Sequence, residues 1–211
     1  MPTYMDIVDC IIPAAGLSER MGRWKPLISY PAAGGKPLVE VSVERALETC
    51  SRVVLVTGYR GDELERLFDD YPCVDCVRNE EFRRGMFSSI QTGARLIEAP
   101  FFFIAHADMP ELPAELYRFL LEKIGKSGER TGTGAGLEGE IETVNGAPDI
   151  VRPLYRGLPG HPVLCRHRVA ATILAEAPDS NMQRVMRRHH TLELEVQWPG
   201  CAYDIDSRED L

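Results

Sequence analysis

Between Arg20 and Val39 the chain carries four basic residues, Arg20, Arg23, Lys25 and Lys36, and no acidic one, although the formal charge of the whole protein is −8. A cationic cluster confined to one stretch of an acidic protein is a local anion site. The residues just before it supply a cradle. IIPAAG (11–16) reads as a strand running into Ala14, Ala15 and Gly16. These small residues let a ligand approach the backbone, and successive free N–H groups in a tight loop form an anion-binding concavity. Carboxylates occur at two other places. Asp108 ends an apolar strand in FFFIAHADMP (101–110), at an edge where a metal-bound phosphate can lie, and Asp204 and Asp206 alternate in YDIDSREDL (203–211). Cations together with oxygen ligands for a hard metal are the ingredients of chemistry on phosphates, where positioning and charge neutralisation supply nearly all of the catalysis.

Two further stretches join this set. RRGMFSSIQTGA (83–94) places Gly85 before a predicted helix whose first turn holds Ser88 and Ser89, ready to cap it or to meet a ligand at its positive end. GHPVLC (160–165) presents Gly160, His161 and Pro162 at the start of a short apolar run, where His161 can be a plain turn residue before proline. The loop after the first strand does not match the familiar phosphate fingerprints: it has no G-x-G-x-x-G, and Gly22 is followed by Arg-Trp-Lys-Pro instead of Lys-Ser/Thr. That argues against a dinucleotide oxidoreductase and a P-loop NTPase. The six cysteines have no disulfide-framework spacing, and the Cys73-x-x-Cys76 pair falls in a predicted strand, where positions three apart face opposite sides. Reduced thiols are expected. RVMRRHH, with His189 and His190, reads as the basic end of a helix, where cations suit the dipole.

The elements that must position these residues follow from hydrophobic periodicity. Buried strands are predicted at 7–12, 52–57, 74–78 and 101–105, and helices at 38–48, 61–70 and 87–97, with a further helix opening on the proline of PAELYRFLLEKI. Strand-like segments at 150–155 and 192–197 enclose helices near 166–176 and 181–190. Strand alternating with helix means an α/β fold, a mainly parallel Rossmann-like sheet with helices on both faces. In such a sheet the first strand-to-helix loop is the usual phosphate site. A chain of 211 residues with 44% apolar content and no internal repeat is read as one domain, 1–211. The Gly-rich polar stretch 125–149 is either a mobile lid or a disordered insertion. The acidic balance argues against a nucleic-acid or anionic-membrane partner, and with no signal peptide or membrane-spanning window the expected location is cytoplasmic.

The five stretches AAGLSERMGRWK, GMFSS, DMP, GHP and DIDSREDL, in this order across nearly the whole chain, resemble the molybdenum cofactor cytidylyltransferase group of nucleotidyltransferases, which is related to the guanylyltransferase of the same pathway. The resemblance implies a GT-A-like sheet. It implies that the loop with Ala14, Ala15, Gly16, Ser18 and Gly22 wraps a nucleoside triphosphate, that Arg20 and Lys25 neutralise its phosphates, and that Asp108 with Asp204 or Asp206 holds Mg²⁺ against the α-phosphate. Asp206 is the favoured member of that doublet. Ser88 and Ser89 would lie near base or ribose. The implied reaction is transfer of CMP from CTP to a phosphorylated small molecule, molybdopterin being the first candidate, with release of pyrophosphate. A sugar-phosphate or alcohol-phosphate nucleotidyltransferase and a non-catalytic nucleotide-binding regulator are the alternatives. The chain departs from the pattern at Pro13, in the enlarged SYPAAG segment and in DIDSRED, which carries Ser-Arg where Thr-Pro is usual. Where the guanylyltransferase relatives have Gly-Gly, this chain has Ala15-Gly16, and a methyl at Ala15 is expected to narrow the base site in favour of a pyrimidine.

Overall fold

The computed structural model describes residues 7–17, 24–126, 146–205 and 210. The elements, in chain order, are β1 (Val8–Pro13), β2 (Ser29–Tyr30), β3 (Lys36–Pro37), α1 (Leu38–Leu47), β4 (Arg52–Thr57), α2 (Gly61–Phe68), β5 (Val74–Arg78), α3 (Met86–Ala94), β6 (Phe101–Ile104), α4 (Ala114–Lys126), β7 (Ile150–Tyr155), β8 (Leu158–Pro159), β9 (Val163–Arg166), α5 (Arg168–Ala175), α6 (Met182–Met186) and β10 (Thr191–Glu195). The central sheet runs β10-β7-β9-β6-β1-β4-β5, with β8 paired to β7.

The expected alternation of side chains organises the core. On β1, Val8, Cys10 and Ile12 point to one face, where they meet Val53 and Leu55 of β4, Leu64 and Phe68 of α2, and Leu116, Tyr117 and Leu120 of α4. Ile11 points to the other face, among Val54, Val56, Phe102, Ile104, Ile90 of α3 and Ile173 of α5. Runs that are apolar at every position, such as CII and VVLV, are what a strand covered on both faces requires. Gly93 allows α3 to lie directly on this sheet, since a Cβ there would stand 2.6 Å from Ile11 Cγ2.

Two strands of the central sheet, β8 and β9, break the parallel rule, β8 by pairing antiparallel to β7. β9 is antiparallel to both β6 and β7, while β1, β4, β5 and β6 are mutually parallel and β10 is parallel to β7. The reason is connection length: β7 leads into β8 through a turn with Arg156 and Gly157 at positive φ (52° and 77°) and then into β9, too short a path for the crossover that a parallel pair needs. The VLC run after His161, read only as a short apolar segment, is therefore a buried sheet strand. The predicted helix at 181–190 is confined to Met182–Met186, and α4 continues to Lys126, so the stretch predicted to begin at 125 starts inside a helix. Residues 127–145 of that stretch lie outside the described residues.

From β1 the chain steps outward to β4 and β5, then returns to place β6 on the opposite side of β1. Neighbouring strands whose connections diverge in this way leave a crevice at their carboxyl ends, which is where ligands bind in open α/β sheets.

Candidate active site at the carboxyl ends of β1 and β6

The loop leaving β1 is held at three successive residues. Ala14 N donates to Val56 O (2.8 Å), Ala15 O accepts from Tyr59 N (3.2 Å), and Gly16 O accepts from the indole Nε1 of Trp24 (3.0 Å). Trp24 is buried, with Tyr59 edge-on at 6.0 Å and the Arg60 guanidinium over its ring at 4.8 Å. It ties the start of the loop to its end, on either side of 18–23. A Cβ added at Gly16 would meet no atom within 4 Å, so the backbone there faces open space. The Ala15 methyl does not. A Cβ on Gly58 would lie 2.7 Å from it and 3.0 Å from Phe82 Cβ, so the methyl packs against the Gly58 backbone and Ala15 is only 3% exposed. The methyl expected to narrow the base site is thus held against Gly58, in a residue that also lines the cleft described below.

Lys25 opens a short 3-10 turn, Lys25–Leu27, continued by Pro26. Its Nζ lies 3.1 Å from Asp108 Oδ2, with the two side chains 12% and 24% exposed. Asp108 follows β6 on a backbone fixed from two directions: Ser42 Oγ of α1 donates to Ala107 O (3.1 Å), and Ile205 N donates to Asp108 O (3.0 Å). The second bond draws the C-terminal segment to the same edge. Ile205 is buried and its neighbour Asp204 is exposed. Ser18, Arg20, Gly22 and Asp206 lie outside the described residues.

Together these elements enclose a cleft of about 540 Å³ lined by the 13–17 loop, Lys25, Pro26, Phe82, Arg83, Gly85, Met86, Ser89 and 106–108. Of the two predicted serines, only Ser89 reaches it. Neither caps α3, whose N-terminal position is Gly85 at φ 104° with no side-chain cap. Instead Asn79 Nδ2 donates to both hydroxyls, at 2.9 Å to Ser88 and 3.0 Å to Ser89, and Ser88 Oγ donates back to Gly85 O (2.8 Å). Asn79 is thus the residue that sets this corner.

His161, predicted from GHP, is brought to His106. The rings lie 3.8 Å apart at 34°, and His161 Nδ1 is 3.4 Å from Ile104 O. Burial, reinforced by the charge of Lys25, pushes His106 down to about 4, and burial with the adjacent His106 pushes His161 down to about 3, so both rings are neutral at physiological pH. Sequence reasoning missed Trp24, Asn79 and His106. The last had a signal, since residues 106 and 108 alternate on the same side of an extended chain. The His189 ring, read as part of a basic helix end, instead sits between Asp149 Oδ2 (3.2 Å) and Thr172 Oγ1 (2.8 Å), away from the cleft. The cysteines are free thiols, Cys73 exposed and Cys76 half-buried. Among the described residues no group of three or more His, Cys, Asp or Glu is arranged to hold a metal, and no helix is long and apolar enough to cross a membrane.

A switch-point crevice with an exposed loop backbone, an ammonium and a carboxylate gives this α/β protein the parts to meet an anionic ligand. The chain belongs to the family of the MobA-like NTP transferase domain, which matches residues 10–192. It is therefore a nucleotidyltransferase with cytidylyltransferase relatives. It is 29% identical to the molybdenum cofactor cytidylyltransferase of Escherichia coli (strain K12), over 98% of this chain and 94% of that one. It is 36% identical to the 2-aminoethylphosphonate cytidylyltransferase of Lancefieldella rimae over 48% of this chain and 43% of the relative. The fold is shared with a crystal structure from Mycobacterium sp. strain JC1, at a TM-score of 0.72 and 18% identity over 99% of this chain and 94% of the other. The mainly parallel GT-A-like sheet expected from the sequence is the one observed.

Proposed function

We propose that the protein transfers CMP from CTP to the phosphate of a small molecule, molybdopterin in the first instance, releasing pyrophosphate in the cytoplasm. The observation that carries this reading is the Lys25–Asp108 pair, 3.1 Å apart in a cleft whose other wall is the open backbone at Gly16. The near full-length similarity to a molybdenum cofactor cytidylyltransferase supports the choice of base and acceptor.

In this reading the backbone of Ala14, Ala15 and Gly16, with Ser18 and Gly22, wraps the triphosphate, and Arg20 and Lys25 balance its charge. Ser89 borders the nucleoside, while Ser88 holds Asn79 and the turn at Gly85. The donors suit Mg²⁺, a hard cation that takes oxygen ligands. Asp108 presents a half-buried carboxylate to the cleft, and the Ile205 N–H, next to Asp204, donates to its backbone carbonyl. When bound, the ion would supply positive charge to offset the charge that develops during transfer. Lys25 can exchange partners. Asp108 holds it at rest, and a triphosphate offers it a stronger one, so the ammonium can move to the phosphates without leaving the site.

Thermal shift with CTP, GTP, ATP and UTP in the presence of Mg²⁺ tests the nucleotide half. A ligand at about 100 times its Kd adds about 2.7 kcal/mol, enough to rank the bases. Pyrophosphate release with CTP and a panel of molybdopterin, 2-aminoethylphosphonate and sugar phosphates tests the acceptor half. No release with any of them, despite CTP binding, would leave a nucleotide-binding regulator.

A further inference from the structure

The loop after β4 grips the 13–17 loop from outside, and one of its residues adopts a conformation that its type disfavours. Gly61 N donates to Gly58 O (3.0 Å), closing a turn whose third residue, Arg60, has φ 53° and ψ 33°. Glycine or asparagine normally takes that place, because a Cβ is strained in the left-handed region. Here glycine stands at 58 and 61 and arginine at the strained position. Such strain persists only where the surroundings fix it, and it gathers at ligand clamps and other working parts of a protein. The surroundings of Arg60 do fix it. Glu63, in the first turn of α2, accepts from the guanidinium with both oxygens, from Nε at 2.6 Å and from Nη2 at 2.5 Å, which sets the plane of the group. Its Cζ lies 4.8 Å from the centroid of the Trp24 ring. Trp24 in turn donates to Gly16 O, and Tyr59 N donates to Ala15 O. In a trans peptide the N–H points opposite to the C=O. Holding those two carbonyls from the side of Tyr59 and Trp24 therefore turns the Gly16 and Leu17 N–H groups the other way, and both residues line the cleft.

We propose that Arg60 is a positioning residue for the triphosphate: it holds the Trp24 ring, the ring holds the Gly16 carbonyl outward, and the loop N–H groups are thereby kept turned to the phosphates. The inference rests on the nucleotide site proposed above and adds to it a residue that touches no ligand. Arg60 does not line the cleft, and its charge is matched by Glu63, so it works through the indole and not as a further cation for the phosphates. Tryptophan is the aromatic ring that holds a cation best, and a guanidinium with its plane already set loses little freedom in the contact.

The strained backbone allows a test that separates positioning from stability. CTP and, separately, inorganic tripolyphosphate are titrated by calorimetry into the full-length protein with Mg²⁺. Arg60→Gly suits the left-handed backbone and removes the side chain. It should unfold in urea at or above the midpoint of the parent, yet bind both ligands about five- to tenfold more weakly. Arg60→Asn, also at home in that region, should do the same. Arg60→Lys keeps a cation for the ring but not the paired grip of Glu63, and should fall between parent and Arg60→Gly. In a Trp24→Phe background, which has lost the bond to Gly16 O, Arg60→Gly should add less than about twofold, because the two residues act in series. Unchanged affinity in Arg60→Gly would overturn the inference. So would weaker binding accompanied by a lower unfolding midpoint, the pattern of a merely structural residue. An equal loss in both backgrounds would overturn it as well, since Arg60 would then act on the phosphates directly, and so would tripolyphosphate that does not bind the parent. The reading of the base fails separately: if the parent takes GTP in preference to CTP while tripolyphosphate behaves as stated, Arg60 keeps its role and the cytidylyl assignment is wrong.

Discussion

Asp108→Asn should have opposite effects on binding and on chemistry. Without metal, the Asp108 carboxylate works against the nucleotide twice, by repelling the triphosphate and by holding Lys25 at 3.1 Å. At that distance a unit pair is worth about 1 kcal/mol at the dielectric constant of water and about 5 kcal/mol at an effective value near 20. With Lys25 12% and Asp108 24% exposed, the pair lies between these limits, and much of the attraction is offset by desolvation and side-chain ordering. Releasing Lys25 and deleting the negative charge should therefore strengthen metal-free CTP binding by about 1 to 2 kcal/mol, roughly 5- to 30-fold in Kd. Turnover with Mg²⁺ should fall by at least roughly 100-fold, the scale of losing one preorganised electrostatic contact. The fold should survive, because the contact that ties this loop to the C-terminal segment uses the Asp108 backbone carbonyl. Calorimetric titration of CTP in EDTA, beside pyrophosphate release in Mg²⁺, measures both halves. Weaker or unchanged metal-free binding would refute the view that Asp108 restrains Lys25. Near-normal turnover with the same Mg²⁺ dependence would remove Asp108 from the metal site.

Lys25→Ala should cost about 2 to 4 kcal/mol of transition-state stabilisation, a factor of roughly 30 to 900 in kcat/KM; if only the acceptor KM rises, Lys25 serves the acceptor instead. Trp24→Phe keeps most of the packing but loses the bond to Gly16 O, so urea unfolding should show a loss of about 1 kcal/mol and kinetics a raised KM for CTP, whereas an unchanged KM would make the latch purely structural. Ala15→Gly should leave the ratio of CTP to GTP use within about threefold of the parent, because the methyl faces Gly58; a large gain in GTP use would restore the direct steric argument. Asp149 supplies a pH test. Burial raises its pKa, but hydrogen bonds from Arg168 and His189 outweigh this and hold the carboxyl below its ordinary value. A depressed carboxylate stabilises the fold fully above the unfolded value near 3.8 and loses that contribution as pH falls through the folded value. Asp149→Asn should accordingly be less stable than the parent at neutral pH, with the gap closing in acid; a gap independent of pH would show that shape, not charge, is what matters there.

The strands nearest the cleft were legible because burial on both faces leaves a distinct pattern. RVVLVT and FFFI are apolar at nearly every position, and the segments between them carry helical spacing. β9 was not legible from the same rule. VLC is short, and its direction is fixed by the turn at Arg156-Gly157 and by pairing with β6 and β7, neither of which periodicity reports. The boundary errors have a similar cause: α6 stops at Met186 although RRHH continues its basic character, because Asp149 and Thr172 take the His189 ring.

The site divides along the same line. Lys25 and Asp108 could be singled out because each is chemically conspicuous where it stands, a cation in a stretch without acids and a carboxylate at the end of an apolar strand. Trp24, Asn79 and His106 are inconspicuous in sequence, and each draws its meaning from a partner far along the chain or across the fold: Gly16 O for the indole, two serine hydroxyls for the amide, the His161 ring for the imidazole. At Ala15 the direction of one methyl likewise depends on Gly58, on the loop after β4, which the local sequence does not report. Residue type and spacing therefore locate the charges a polyphosphate needs, while the space in which the base and acceptor are chosen is set by contacts between segments. Exchanges at such contact positions, with Lys25 and Asp108 retained, are accordingly the changes by which members of one nucleotidyltransferase family can come to use different acceptors.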